Sequence, residues 1–312
     1  MLLTRLKRAA KSNGFISRFV WGVLNVRGVR NAWSFMKWHM YKAFVKFNAD
    51  GLNTTEKRDK KIIVSITSHP GRIDMVPYVI ASVLKQSMKP DKIILWLGIG
   101  KFPDNKLPKV FEKVKACGVE VKFREDIRAH TKYFYAMTEY PDDIIITLDD
   151  DFVYEFDVIE KLYASYLEHP ECVSAMRADT MTVSGDTVRL DIIPDEIKGR
   201  EANNLCPHGV SGVLYPPHCV HPEAFNVEAM KKLCPLADDI WLKIMELLNG
   251  TKAVLAIDKQ RVPGWLVDGS QAIALWHENN AGGNDRQLRA VIDAYNTWPK
   301  NGKTILEMIQ EG

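Results

Sequence analysis

The chain has 312 residues, 46% of them hydrophobic, enough to bury a sizeable core in one large or two small domains. Five scattered cysteines (Cys117, Cys172, Cys206, Cys219 and Cys234) exclude a fully paired disulfide framework and point to a reducing compartment. The formal net charge of +3 is unevenly divided: residues 1–48 hold ten Lys/Arg and no Asp/Glu, which leaves −7 on the rest. A body of that sign repels phosphate backbones and argues against a nucleic-acid partner.

The basic segment 1–48 interleaves its charges with Phe15, Phe19, Trp21, Trp33, Phe35, Trp38, Tyr41, Phe44 and Phe47. From residue 33 to 47 the apolar positions Trp33, Met36, Met40, Tyr41, Phe44 and Phe47 recur at helical spacing, which predicts an amphipathic helix. Arg18 and Arg27 interrupt the longest apolar stretch, so no run suits a bilayer span, and the apolar core of a signal peptide is missing. Aromatic and basic residues together suit the headgroup region of an anionic membrane, and the segment is expected to lie peripherally on the inner, cytoplasmic face. A helix packed on the body or on a partner is the alternative. Residues 49–61 are polar, contain Gly51 and read as a linker.

The body begins at residue 62. Strands are expected at 62–67, 92–97, 119–123 and 143–148, alternating with helices at 77–86, 109–117 and 132–139. Gly118 stops the second helix. Such alternation implies a parallel sheet with right-handed crossovers. Beyond residue 155 the pattern mixes: a helix at 156–168, a strand at 172–176, a hairpin at 180–190 around Ser184-Gly185-Asp186, and a loop or short strand at 209–214. A helix at 239–248, strands at 253–257 and 272–276 and a helix at 285–296 complete it. Residues 62–155 read as a nucleotide-binding half and 156–312 as an acceptor-facing half.

The strand 143–148 ends in Asp149-Asp150-Asp151. A buried strand that delivers acids to its C-terminal end sets them at the crevice where open α/β sheets bind ligands. Three such carboxylates suit a hard divalent cation, and a cation there can neutralise the phosphates of a nucleotide. Cys206, His208, His218, Cys219 and His221 lie close in sequence, but their spacing matches no zinc template.

Three segments resemble the GT-A glycosyltransferases, in particular the family-two-like bacterial sugar transferases. Ile62-Ile63-Val64-Ser65-Ile66-Thr67, followed by Arg72, is similar to their first strand and nucleotide loop. Ser82-Val83-Leu84-Lys85-Gln86-Ser87 and Lys89-Pro90-Asp91-Lys92-Ile93-Ile94 are similar to their first helix and second strand. Leu148-Asp149-Asp150-Asp151 is similar to their Asp-x-Asp metal motif, and Ala237-Asp238-Asp239 to the acidic pair that supplies the base. The chain departs from the pattern at Trp96-Leu97-Gly98-Ile99-Gly100, where relatives commonly place nucleotide-contacting acids.

The resemblance implies a GT-A type, Rossmann-like mixed sheet flanked by helices, here with a basic helical N-terminal extension. It implies transfer of a sugar from a nucleotide-sugar donor, a UDP-sugar favoured, to a saccharide acceptor that is lipid-linked, in bacterial surface polysaccharide assembly. Thr67, Ser68, Arg72, Lys132, Asp149 and Asp150 are the expected nucleotide contacts. Asp149, Asp151 and His277 are the expected ligands of Mn²⁺ or Mg²⁺. Asp239, with Asp238 as neighbour, is the expected base of an inverting displacement; a helix-capping role for the pair is the plainer alternative. Ser211, Gly212, Tyr215 and Trp241 are expected on the acceptor side. Two rivals remain open at this level. Asp149-Asp150-Asp151-Phe152-Val153 also fits a haloacid-dehalogenase-like phosphatase, and a non-catalytic membrane scaffold could carry the same acids.

Overall fold

The computed structural model describes residues 27–192, 199–257, 262–270, 282–298 and 302–312, with side chains from residue 32 onward. The first half contains α1 (Arg27–Phe44), β1 (Ile62–Ser68), α2 (Val76–Val83), β2 (Lys92–Gly98), α3 (Phe111–Ala116), β3 (Glu120–Arg124), α4 (Thr131–Glu139), β4 (Ile144–Thr147) and β5 (Phe152–Tyr154). Then follow α5 (Val158–Glu168), β6 (Val173–Ala175), β7 (Ala178–Ser184), β8 (Thr187–Ile192), β9 (Leu205–Pro207), β10 (Val213–Tyr215), α6 (Val227–Leu233) and α7 (Asp238–Asn249). The last described elements are β11 (Ala253–Leu255), β12 (Gly264–Leu266), α8 (Asn284–Tyr295) and α9 (Ile305–Gln310).

Seven strands form the central sheet in the order β11-β6-β10-β4-β1-β2-β3. Every neighbouring pair is parallel except those of β10, which runs antiparallel to both β4 and β6. The reason β1, β2 and β4 read as unbroken apolar runs is that both faces of the sheet are covered. The alternation of side chains divides them cleanly. Ile62, Val64, Ile66, Ile144 and Ile146 pack with α2, α3 and α5 on one face. Ile63, Ile94, Trp96 and Ile145 pack with α4, α7 and α8 on the other. The expected α/β architecture, a mostly parallel mixed sheet flanked by helices, is the one observed.

The ends of the expected elements shift by a few residues. The strand expected at 143–148 is Ile144–Thr147, and residues 209–214 split into a 3₁₀ turn at Gly209–Ser211 followed by β10. Gly212 makes that junction at φ 99°, where a Cβ would also press within 3.1 Å of Leu148. Elements β5, β9, β12, α6 and α9 are additional to the sequence expectation. The strand expected at 272–276 and His277 lie outside the described residues.

The basic extension is a helix along α1, and one face of it is docked. Trp38 is buried, its ring edge-on to Tyr78 and Trp265 at 5.7 and 6.2 Å. Tyr41 meets Trp265 at 5.5 Å and donates a hydrogen bond to the Tyr78 carbonyl. The 49–61 stretch is tied to the body through Arg58, which pairs with Asp91 at 3.0 Å, and Asn53, which donates to the same carboxylate at 2.6 Å.

Because aromatic packing on Trp38 carries the docking, Trp38→Ala is expected to release α1 without opening the sheet. Hydrogen exchange checks this: protection should fall across residues 33–44 and remain unchanged in β1 and β4. Equal loss in both would show that α1 is part of the global core.

Candidate active site

Strands β1 and β4 run parallel side by side, with Ser65 opposite Thr147 at the carboxyl end of β4. Two residues later the chain delivers the acids. Asp149 is the most open, its side chain 29% exposed, while Asp150 and Asp151 are buried. Packed carboxylates of one sign need counter-charge, and two cations supply it. Arg72 forks between them, Nη1 to Asp150 at 2.7 Å and Nη2 to Asp151 at 3.0 Å. It also donates to the Ser270 carbonyl at 3.1 Å, and Ser68 donates to Asp150 at 2.5 Å. Burial pushes Asp151 up to about 6, with Arg72 opposing the shift and the two neighbouring acids adding to it.

Lys132, in the first turn of α4, is the second cation. Its Nζ donates to Asp149 at 2.7 Å and lies 3.1 Å from Asp238 at the start of α7. The side chain is 7% exposed. Burial alone would lower its pKa, but Asp149, Asp238 and Asp239 outweigh burial and hold it firmly charged. Its backbone is anchored too: the Ser65 hydroxyl donates to the Lys132 carbonyl and accepts from Trp96 Nε1 at 2.8 Å.

The two acids of α7 differ. Asp238 is buried, while Asp239 keeps part of its surface open. Both carboxylate oxygens of Asp239 accept from the Gly209 amide, at 3.1 and 3.2 Å. Burial and the adjacent Asp238 push Asp239 up to about 7, against the pull of Lys132 and His208. Glycine at 209 leaves room for both charged groups: a Cβ would sit 2.7 Å from Lys132 Nζ and 3.0 Å from the Asp239 carboxylate, and one of the two side chains would have to move.

Thus Ser68, Arg72, Lys132, Asp149, Asp150, Asp151, Asp238 and Asp239, all singled out in the sequence, belong to one connected set of charges. Other expected residues are placed differently. Thr67 turns its hydroxyl along the sheet to the Trp96 carbonyl at 3.2 Å. Tyr215 and Trp241 are buried core side chains, the latter donating to the Ala224 carbonyl at 3.1 Å. The Ser211 side chain is likewise enclosed, and Gly212 serves the backbone turn.

Tyr154 and His130 escaped the sequence reading, and His208 entered it only through its spacing to the neighbouring cysteines and histidines. Tyr154 accepts from the Asp149 amide at 2.7 Å and donates to the Val210 carbonyl at 3.3 Å, joining the acid loop to the Gly209 turn. His208 pairs with Asp179 at 2.9 Å, beside Asp239. His130 is buried and held neutral, its pKa lowered to about 4, and bonds the Cys234 carbonyl at 2.7 Å below the start of α7. No group of three His, Cys, Asp or Glu side chains converges on a metal position among the described residues. All five cysteines are free and buried, and His218 is drawn off to Asp142. A surface cavity of about 390 Å³ lies between β8 and α8 and is lined by none of these site residues.

No protein-family model matches the chain, and no curated protein does. Solved structures do show a distant likeness. A mannosyltransferase from Pyrobaculum calidifontis in complex with GDP-Man and Mn²⁺ covers 89% of this chain and 76% of its own, at 8% identity and a TM-score of 0.46. A UDP-glucose pyrophosphorylase from Acinetobacter baumanii covers 78% and 96%, at 12% identity and 0.40. A CMP:2-keto-3-deoxy-manno-octonic acid synthetase complexed with CTP covers 63% and 89%, at 14% identity and 0.39. The mostly parallel sheet flanked by helices is Rossmann-like in its own right; with TM-scores of 0.39 to 0.46 the likeness to these structures is distant.

Arg72→Gln removes the cation that Asp150 and Asp151 share, and breaking a buried pair of this kind costs about 3 kcal/mol. Arg72 favours the ionised form of Asp151, so its contribution is present where that acid is charged. The deficit should therefore be full at pH 8 and shrink as pH falls through about 6. Urea denaturation at several pH values, in chelator, measures it; a deficit independent of pH would contradict the pairing.

Gly209→Ala should displace Lys132 or Asp239 while leaving the sheet intact. The expected outcome is a melting temperature within a few degrees of wild type and a loss of about tenfold or more in any activity that needs this site. Melting curves and turnover measured together check it.

Proposed function

We propose that the chain is a glycosyltransferase of the GT-A type, moving a sugar from a nucleotide-sugar donor, a UDP-sugar favoured, to the hydroxyl of a saccharide acceptor. The observation that carries this reading is Lys132. Its one ammonium group joins Asp149, on the nucleotide-binding half, to Asp238, beside the acid suited to be the base. That bridge supports a reading in which donor-side charge and acceptor-side chemistry share a single site.

The reaction asks for three things, and named residues supply them. The acceptor must be deprotonated: Asp239 is partly open and its pKa of about 7 is matched to proton transfer near neutrality. The leaving diphosphate must be met by positive charge: Arg72 and Lys132 are fixed cations at the strand ends. Displacement must be in line: the acceptor oxygen bonds to the anomeric carbon as the bond to the diphosphate breaks, and the proton passes to Asp239. A single displacement of this kind inverts the anomeric configuration. The acid loop supplies hard oxygen donors of the kind Mn²⁺ or Mg²⁺ prefers; Asp149 and Asp151 would hold such an ion, which would add charge against the diphosphate. His277, the third expected ligand, is outside the described residues. A lipid-linked saccharide as acceptor, and a place in surface polysaccharide assembly, complete the reading.

A general base contributes roughly 10²–10⁴-fold to rate. Asp239→Asn should therefore nearly abolish transfer while donor affinity and melting temperature hold, because Asn keeps the size and its Oδ1 can still accept from the Gly209 amide. Asp238→Asn should do less. Near-normal turnover by Asp239→Asn would place the base elsewhere.

The pH profile gives an independent check. Asp239 must be deprotonated to act, and its folded pKa is raised from 3.8 to about 7. The transfer rate should rise with pH up to about 7 and level above it, and that limb should vanish in Asp239→Asn. A rate already flat from pH 5 upward would contradict the assignment.

A further inference from the structure

Helix α1 has two faces with different chemistry. The inner face, with Trp38, Tyr41 and Lys37, is committed to the body; the Lys37 ammonium sits 4.0 Å above the Trp265 ring. The outer face is an apolar stripe at the spacing i, i+3, i+7, i+11. Trp33, Met36, Met40 and Phe44 are 43, 44, 54 and 76% exposed. Four large apolar side chains in one line are costly to leave in water and mark a contact surface. What covers them is indicated by charge. The segment 1–48 carries ten Lys/Arg and no acid, while the rest of the chain carries −7. An anionic surface attracts the first and repels the second, which orients the molecule with α1 toward the surface. No described helix is long and apolar enough to cross a membrane. An amphipathic helix of this kind, basic and with Trp and Phe on its apolar side, binds in the plane of the interface.

We propose that α1 is a bilayer-contacting element whose outer stripe enters the headgroup–acyl boundary of an anionic membrane. Its inner face ties that contact to the charged site. Trp265, on which α1 rests, belongs to β12, which pairs with β5 immediately after the three acids. The same segment then returns to the site: the Val267 amide donates to the Asp151 carbonyl at 2.8 Å, and the Ser270 carbonyl accepts from Arg72 at 3.1 Å. The membrane contact is thus connected to Arg72 and Asp151 through packed and hydrogen-bonded structure. The inference stands apart from the sugar-transfer reading, since it concerns where the site is held and not what it does.

Flotation of the full chain with vesicles tests it. Wild type should float with phosphatidylcholine vesicles containing phosphatidylglycerol, float poorly with phosphatidylcholine alone, and release at high salt. Met36→Glu/Met40→Glu should weaken the anionic-vesicle binding at least about tenfold, and Met36→Ala/Met40→Ala by less, both with unchanged melting temperature. Undiminished flotation of the Glu variant would overturn the proposal, as would wild-type binding indifferent to anionic lipid. A stripe that instead holds two copies together, shown by a dimer that the Glu variant dissociates with no vesicle binding by wild type, would also overturn it.

Discussion

The site depends on one buried ammonium group. Lys132 enters from the first turn of α4 and is surrounded by carboxylates from the end of β4 and the start of α7. Without it, Asp149, Asp238 and Asp239 would be like charges crowded in a poorly solvated recess, and the two halves of the molecule would repel where they meet. With it, the same acids become a fixed array of alternating sign. A lysine is suited to the position because it presents a point charge that several carboxylates can share, whereas Arg72, with its planar fork, suits the bidentate position between Asp150 and Asp151.

The rest of the local structure serves that array. Ser65 looks misplaced in an apolar strand, yet its hydroxyl fixes the backbone of Lys132 and takes the Trp96 indole proton. Tyr154 spans the acid loop and the Gly209 turn. Gly209 allows the turn to come close enough for its amide to hold Asp239. The outer layer extends the same logic. β5 and β12 pair beside the acids and provide the aromatic platform on which α1 rests. A helix at the edge of the molecule is in this way in structural contact with the site's own support.

How much of this was legible in the sequence follows from the physics of each feature. The sheet strands β1, β2 and β4 are long apolar runs buried on both faces, so their pattern is unambiguous. The acids stood out because three carboxylates after such a strand have few structural reasons to be there. Lys132 was visible as a basic residue opening a helix, but its bridging role was not, because Asp149 and Asp238 are far apart in the chain. The burial of Tyr215 and Trp241 was not legible, because a loop rich in small residues and an aromatic next to the acids have the same pattern in a core as at a surface. The short strands β5, β9 and β12 have three residues each, too few to show a period. Helix α9 did carry a signal: Thr304 and Glu307 form a reciprocal cap, a pattern readable from the Thr-x-x-Glu spacing alone.

The most direct test of the account is turnover of the donor. A panel of nucleotide sugars incubated with the full chain and Mn²⁺, read by release of nucleoside diphosphate, decides whether the strand-end acids and the helix acids form one sugar-transfer site. The account predicts that at least one donor is consumed, and that both Asp149→Asn and Lys132→Met lose the activity although they alter opposite charges. Hydrolysis of simple phosphate monoesters with no consumption of any nucleotide sugar would contradict it.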